Sequence, residues 1–169
     1  MNPPLPTTHD VIVLGGGLAG LTLALQLRRR FADIDVLVLE RHANPVPEAC
    51  HKVGESSVEI GAHYFENVLG LKSHLMERQL KKFGFRFFFS DGARDLSAVT
   101  ELGASRPLPV PSWQIDRGIF ENFLGEEVQR QGVRFVDQAV VRGLELSQDD
   151  APHRVSWHRA GGDVQSANA

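Results

Sequence analysis

The chain has 169 residues, 42% hydrophobic and 23% charged, with a formal net charge of −3. That composition suits a globular domain with a real core and argues against a nucleic-acid partner; no apolar run is long enough to span a bilayer. The single cysteine, Cys50, excludes an intrachain disulfide, and the opening MNPPLPTTHD lacks the basic and apolar regions of a signal peptide, so a cytoplasmic location is expected.

Residues 1–9 read as a short disordered lead carrying three prolines. DVIVLGG is a buried strand, apolar from Val11 to Leu14, and LAGLTLALQLRRRF is a helix with a broad apolar face. Its three terminal arginines meet the negative end of the helix dipole. DIDVLVLE is a second strand, apolar on both faces as in a covered parallel sheet. Strand, helix and strand together make a βαβ unit. Residues 41–56 form a loop with Pro45, Pro47 and Gly54, and SSVEIGAHYFENVLG is a helix capped by Ser56 or Ser57. A further helix is expected over 73–80, a strand over 84–89, a loop or short excursion over 90–112 and a helix over 117–131 ended by Gly132. VRFVD, VVRGLELS and HRVSWHR read as three strands of a meander; the small, polar tail AGGDVQSANA offers no strand to finish a sheet. The seven histidines are scattered, with no two-Cys or HExxH array, so no metal site is expected.

Chemistry concentrates first at Gly15, Gly17 and Gly20, a GxGxxG between strand and helix. Gly15 makes the turn, Gly17 admits a pyrophosphate to the backbone, and Gly20 allows close helix–strand packing. The N–H groups near Leu18 and Ala19, at the positive end of the helix dipole, face the phosphates. Glu40 lies twenty residues beyond Gly20 at the end of the second strand, where a carboxylate accepts from ribose hydroxyls and repels a 2′-phosphate. Arg41 either stacks on the adenine or is solvated. These residues permit NAD or FAD.

The long loop RHANPVPEACHKVGESS that follows, in place of a further βα repeat, resembles the glutathione-reductase-like FAD-binding flavoproteins. The branch in question holds aromatic hydroxylases, geranylgeranyl reductases and flavin-dependent halogenases. VGESS is similar to the Val-Gly-Glu-Ser segment of the halogenases. The resemblance implies that Val53, Gly54 and Ser56 line the flavin and that Glu55 lies near the halide and flavin sites; without it, Glu55 is a surface glutamate at a helix entry. The family's catalytic lysine matches Lys82, 27 residues after Glu55 and just before an aromatic-rich strand. On composition alone Lys81 and Lys82 are a basic pair closing a helix. WQIDRGIFENFL resembles the family's Gln-x-x-Arg entry, which implies Gln114 at the ribityl or phosphate region and Arg117 near the pyrophosphate, with Asp116 available as an N-cap. Trp113 reads as core.

The implied fold is α/β, a Rossmann-like FAD-binding domain with a parallel sheet in three layers, occupying residues 10–169 and incomplete at its C-terminus relative to the family. The implied function is halogenation of an electron-rich aromatic or carrier-bound small molecule, using reduced FAD, O₂ and halide, with a separate flavin reductase as partner. The family's WxWxIP and Gly-Asp segments lie downstream of the matched region, so a hydroxylase or geranylgeranyl-type reductase stays open. So does a non-catalytic dinucleotide-binding fragment.

Overall fold

A computed structural model describes residues 7–106, 109–159 and 161–169. Six residues of the expected disordered lead lie outside these; Thr7–Thr8 form strand β1. In chain order there follow β2 (Val11–Leu14), α1 (Leu18–Arg30), β3 (Val36–Leu39), α2 (Glu59–His63), α3 (Lys72–Arg78), β4 (Leu80–Lys82), β5 (Arg86–Phe89), β6 (Thr100–Gly103), β7 (Ser112–Gln114), α4 (Arg117–Arg130), β8 (Arg134–Val136), β9 (Val140–Glu145), β10 (Arg154–His158) and β11 (Val164–Asn168). The chain folds as two compact units. One comprises the chain up to His51 and from Asp116 onward; the other is Lys52–Ile115.

The first unit is a three-layer α/β structure. β2, β3 and β8 form a parallel sheet in the order β2-β3-β8. All four residues of β3 are buried, which a strand apolar on both faces requires. Leu37 and Leu39 join Ala139, Val155, Trp157 and Ala167 in one core cluster against the second sheet. Val36 and Val38 project from the opposite face, and α1 packs along β3 and against α4. The arginines that end α1 do more than meet a dipole. Arg28 donates to the carbonyls of Ala32, Ile34 and Gln131, and Arg29 pairs with Glu127. They tie the C-terminal ends of α1 and α4 together.

Two expectations for the C-terminal third are corrected. VRFVD is no part of the meander. It forms β8, parallel to β3, because α4 supplies the crossover that a parallel neighbour needs. The short link to β9, with Gln138 at a φ of 53°, only looks like a hairpin turn in the sequence. The meander is β9-β10-β11, and β1 pairs parallel with β11 at its edge. The polar tail therefore does contain a strand. Its core contribution is one small residue, the fully buried Ala167, which composition does not advertise.

In the second unit neither Ser56 nor Ser57 caps a helix. Val58 is the N-cap of α2, which runs into a π-helical turn over Tyr64–Val68. Ser57 is instead engaged by Trp113, whose backbone N–H donates to its hydroxyl at 2.7 Å. α3 ends at Arg78, with Gln79 extended. Lys81 and Lys82 consequently lie on β4, antiparallel to β7, and do not close a helix. β5 pairs with β6 as a hairpin whose residues are all exposed.

A Cβ on Gly20 would sit 1.9 Å from the Gly15 carbonyl oxygen. Gly20→Ala is expected to cost about 3 kcal/mol or more, because the clash is with backbone and not with a movable side chain; a denaturant titration matching the wild type would contradict this. A second expectation concerns acid. Burial, reinforced by the Arg78 charge, holds His74 down at about 4, against an ordinary 6.5. A depressed histidine stabilises the folded state fully above about 6.5, and the contribution fades as pH falls toward 4. Thermal melts over that range should show a shallower decline in Tm for His74→Gln than for the wild type; equal slopes would remove His74 as the cause.

Candidate dinucleotide site

The turn from β2 into α1 is built by close approach. Gly15 adopts a φ of 116° and its N–H donates to the Leu39 carbonyl at 2.8 Å. A Cβ on Gly16 would lie 2.6 Å from the Phe135 ring, so this middle glycine, which the spacing of the motif leaves unassigned, is required too. The Gly16 N–H donates to Glu40 at 2.7 Å. The carboxylate at the end of β3 is thus locked onto the glycine turn itself.

Glu40 also accepts from the His42 N–H and from the His42 ring, each at 2.8 Å. Burial pushes its pKa up, but the hydrogen bonds from His42 and Gly16 and the His42 charge outweigh that, and the group is held below its ordinary value. A carboxylate offers about four lone-pair sites, and three are occupied. Two ribose hydroxyls fit only if one partner gives way. The His42 ring, 64% exposed, is the one that moves at least cost.

Beside Glu40 lies a cleft of about 330 Å³ lined by Leu14, Gly15, Leu39, Arg41 and the Ala139–Val141 segment. It opens at the C-terminal ends of β2 and β3, where open α/β sheets bind ligands. Its apolar wall from the start of β9 carries no motif, and sequence reading misses it. Arg41 is exposed at its rim.

Gly17 caps α1 without any side chain. Arg117 and Glu121 stand next to it; a Cβ there would lie 3.8 Å from the Arg117 guanidinium and 3.9 Å from the Glu121 carboxylate. Glu121, 3% exposed, pairs with Arg117 and accepts from the Leu18 N–H at 3.2 Å. Ala19 is exposed in the same first turn. Arg117 is therefore at the N-terminus of α1, and Glu121, one helical turn on, orients it. The sequence carried a signal for this partner, the i, i+4 spacing of Arg117 and Glu121.

Asp116 is the N-cap of α4. One oxygen accepts from the Ile119 N–H at 3.0 Å and the other from the Ala49 N–H at 2.7 Å. The loop after β3 is pinned along α4 in the same manner. Val46 exchanges two 2.8 Å hydrogen bonds with the Asn122 amide, and the Pro47 carbonyl crosses so near Gly118 that a Cβ would be 2.1 Å away.

The remaining candidates lie in the second unit. Gly54 has a φ of 91° and Val53 is 96% exposed. The Lys52 N–H donates to Glu55 at 3.2 Å. Residues 55–57 run extended along β7. Ile115 N–H donates to the Glu55 carbonyl, Ser56 bridges Gln114, and Ser57 N–H donates to the Trp113 carbonyl. β4 flanks β7 as well, and Lys82 Nζ donates to Ser56 Oγ at 2.7 Å and to the Ser57 carbonyl at 2.8 Å. Ser56, Lys82 and Gln114, distant in sequence, meet along β7, and Glu55 is held beside them by the Ile115 N–H on its carbonyl. Gln114 is exposed, while Trp113 is buried and donates to Glu66 at 2.7 Å. Among the described residues no three His, Cys, Asp or Glu side chains gather as a metal site, and no helix is long and apolar enough to cross a membrane.

A glycine turn locked to an acid at the end of the next strand, over a cleft at the strand ends, defines a Rossmann-like dinucleotide-binding unit. The NAD(P)-binding Rossmann-like domain matches this chain over residues 13–83. The chain is similar to the flavin-dependent halogenase chlA of Dictyostelium discoideum, 28% identical over 84% of this chain and 25% of that protein. It is also 28% identical to an L-2-hydroxyglutarate dehydrogenase of Escherichia coli, over 73% of this chain and 30% of the relative. Among solved structures, its fold is that of the myxobacterial chondrochloren halogenase CndH (TM-score 0.73, 24% identity, 97% of this chain and 36% of that one). It is equally that of the flavin-dependent halogenase CmlS (TM-score 0.70, 24% identity, 96% and 28%). The chain thus resembles flavin-dependent halogenases in sequence and fold, and spans about a quarter to a third of the length of these relatives.

Asp116→Ala removes both the α4 cap and the Ala49 anchor. It is expected to cost about 2 kcal/mol, the upper end for a cap, since one side chain serves two backbone donors. Urea unfolding of the variant measures this, and a loss near zero would show that the loop is held without it.

Proposed function

We propose that this chain is the FAD-binding portion of a flavin-dependent oxidoreductase of halogenase type. The observation that carries the proposal is Glu40, locked by the Gly16 N–H at the mouth of a cleft sized for a nucleoside. It is supported by the likeness of the chain to halogenases in sequence and fold. In this reading Glu40 accepts from the adenosine ribose and excludes a 2′-phosphate. Gly15, Gly17, Leu18, Ala19 and Gly20 present backbone to the pyrophosphate, with Arg117 as its counter-charge, and Arg41 covers the adenine. Val53, Gly54, Ser56 and Gln114 line the flavin, and Glu55 and Lys82 serve the chemistry.

Reduced FAD, supplied by a separate reductase, provides the electrons with which O₂ and halide halogenate an aromatic substrate. Lys82 suits the catalytic assignment because its ammonium is held by two oxygens, neither of them a carboxylate. It remains a full positive charge that orients an anionic or oxygen-bearing oxidant. The likeness to an L-2-hydroxyglutarate dehydrogenase favours a second reading, a flavin-dependent dehydrogenase. Halide dependence of product formation by a protein carrying this chain separates the two.

FAD titration of the chain, followed by flavin fluorescence, is the direct test. FAD is expected to bind more tightly than NAD, and Glu40→Ala to weaken FAD by about tenfold to a hundredfold, the worth of charged hydrogen bonds to ribose. Tighter NAD binding, or no effect of Glu40→Ala, would overturn the assignment.

A further inference from the structure

A cleft of about 450 Å³ in the second unit lies at the base of the β5–β6 hairpin and is lined by Lys82–Arg86 and Ala104–Arg106. Its lining holds three cationic side chains, Lys82, Arg86 and Arg106, and no acid. Lys82 Nζ has two neutral oxygen partners and stands 4.7 Å from the centre of the Phe85 ring. Arg86 is paired with Glu101, which lies outside the lining. Among the described residues neither Lys82 nor Arg106 is paired with a carboxylate, so the lining carries a net positive charge.

Between the cations the wall is aromatic. Phe83 and Phe85 are 66% and 62% exposed, although a phenylalanine loses most by facing water. Gly84 joins them at a φ of 105°, a conformation that turns the chain between the two rings. Gly103 lets β6 approach closely: a Cβ there would be 3.0 Å from the Phe85 carbonyl. Exposed rings beside cations that carry a net positive charge are half of a recognition pair whose other half is flat, apolar and negative.

We propose that this cleft binds an aromatic anion, a ring bearing a carboxylate or phosphate. The ring lies on Phe83 and Phe85, and the anionic group sits among Lys82, Arg86 and Arg106. This rests on the halogenase-type reading and narrows its substrate class: the molecule delivered to Lys82 carries a negative charge. A guanidinium takes a carboxylate or phosphate in two parallel hydrogen bonds, an orienting task that falls to Arg106, since Arg86 is already engaged by Glu101 and the Ala104 carbonyl.

The test is an NMR titration of the isotopically labelled full chain, without flavin, with benzoate, phenyl phosphate, benzyl alcohol and inorganic phosphate. At least one aromatic anion is expected to bind about tenfold more tightly than benzyl alcohol and than inorganic phosphate, with shifts centred on Gly84, Phe85 and Ser105. The stronger of the two names the anionic group. Added salt weakens the anion and leaves benzyl alcohol unchanged. Arg106→Ala, at an exposed position, is expected to lower the anion affinity about threefold and not that of the alcohol. Equal binding of alcohol and anions, shifts mapping elsewhere, or no binding at all would overturn the proposal. FAD titration of the same sample keeps the two ideas apart. Anion binding without FAD binding sinks the flavin assignment and upholds the cleft; FAD binding without anion binding does the reverse.

Discussion

The crossing of α1 over β2 leaves no room for a methyl group between Gly20 and the Gly15 carbonyl. Much of the dinucleotide unit follows from that contact. It brings the first turn of α1 down onto the end of β2, and this fixes where the Gly16 N–H points. The N–H meets Glu40, so the turn and the end of β3 become one rigid piece. Phe135 then closes on Gly16 from β8, with space for hydrogen and nothing larger. Three strands and a helix are set relative to one another by two glycines. A cradle made this way is formed before a ligand arrives, and little ordering entropy remains to oppose binding.

The second organising element is the face of α4 that carries Asp116, Gly118, Asn122 and Gly125. A loop with prolines at 45 and 47 reads as loose chain, yet its backbone is satisfied almost as a strand's would be. Asn122 offers Val46 both a donor and an acceptor, and Asp116 takes the Ala49 N–H. Ala49 and His51, at φ near 49° and 48°, adopt the left-handed conformation that non-glycine residues avoid. Backbone strain of this kind persists where surrounding contacts over-determine it, and the α4 contacts are of that sort.

Local patterns made the βαβ unit legible. Doubly apolar strands, a glycine turn and a terminal acid each follow from chemistry within a few residues. The pattern failed wherever the deciding partner was distant. VRFVD joins the parallel sheet because α4 delivers it there, and no residue within it records that. Ala167 makes the tail a strand by being small and fully buried. Ser57 loses its expected capping role to the Trp113 backbone, 56 residues away. Glu121 was visible only as one acid on a mixed helix, although its i, i+4 spacing to Arg117 was there to read. The wall of the cleft at Ala139–Val141 had no local signal at all.

Lys82 shows how element type changes the chemistry a residue can offer. At a helix end, a lysine would spread its charge over terminal carbonyls and swing freely in water. On β4 its backbone is fixed by pairing with Ser112, and its ammonium is anchored by Ser56 and the Ser57 carbonyl. Both partners belong to the extended segment that also pairs with β7. The ammonium therefore has a defined position, set by neutral acceptors that leave its charge intact. Phe85, 4.7 Å away, attracts that charge without neutralising it. A carboxylate partner would have fixed the side chain equally well and cancelled its field. With neutral oxygens and a ring in that place, the positive charge acts on whatever enters the neighbouring cleft, and it does so from a side chain whose rotamer freedom is already largely spent.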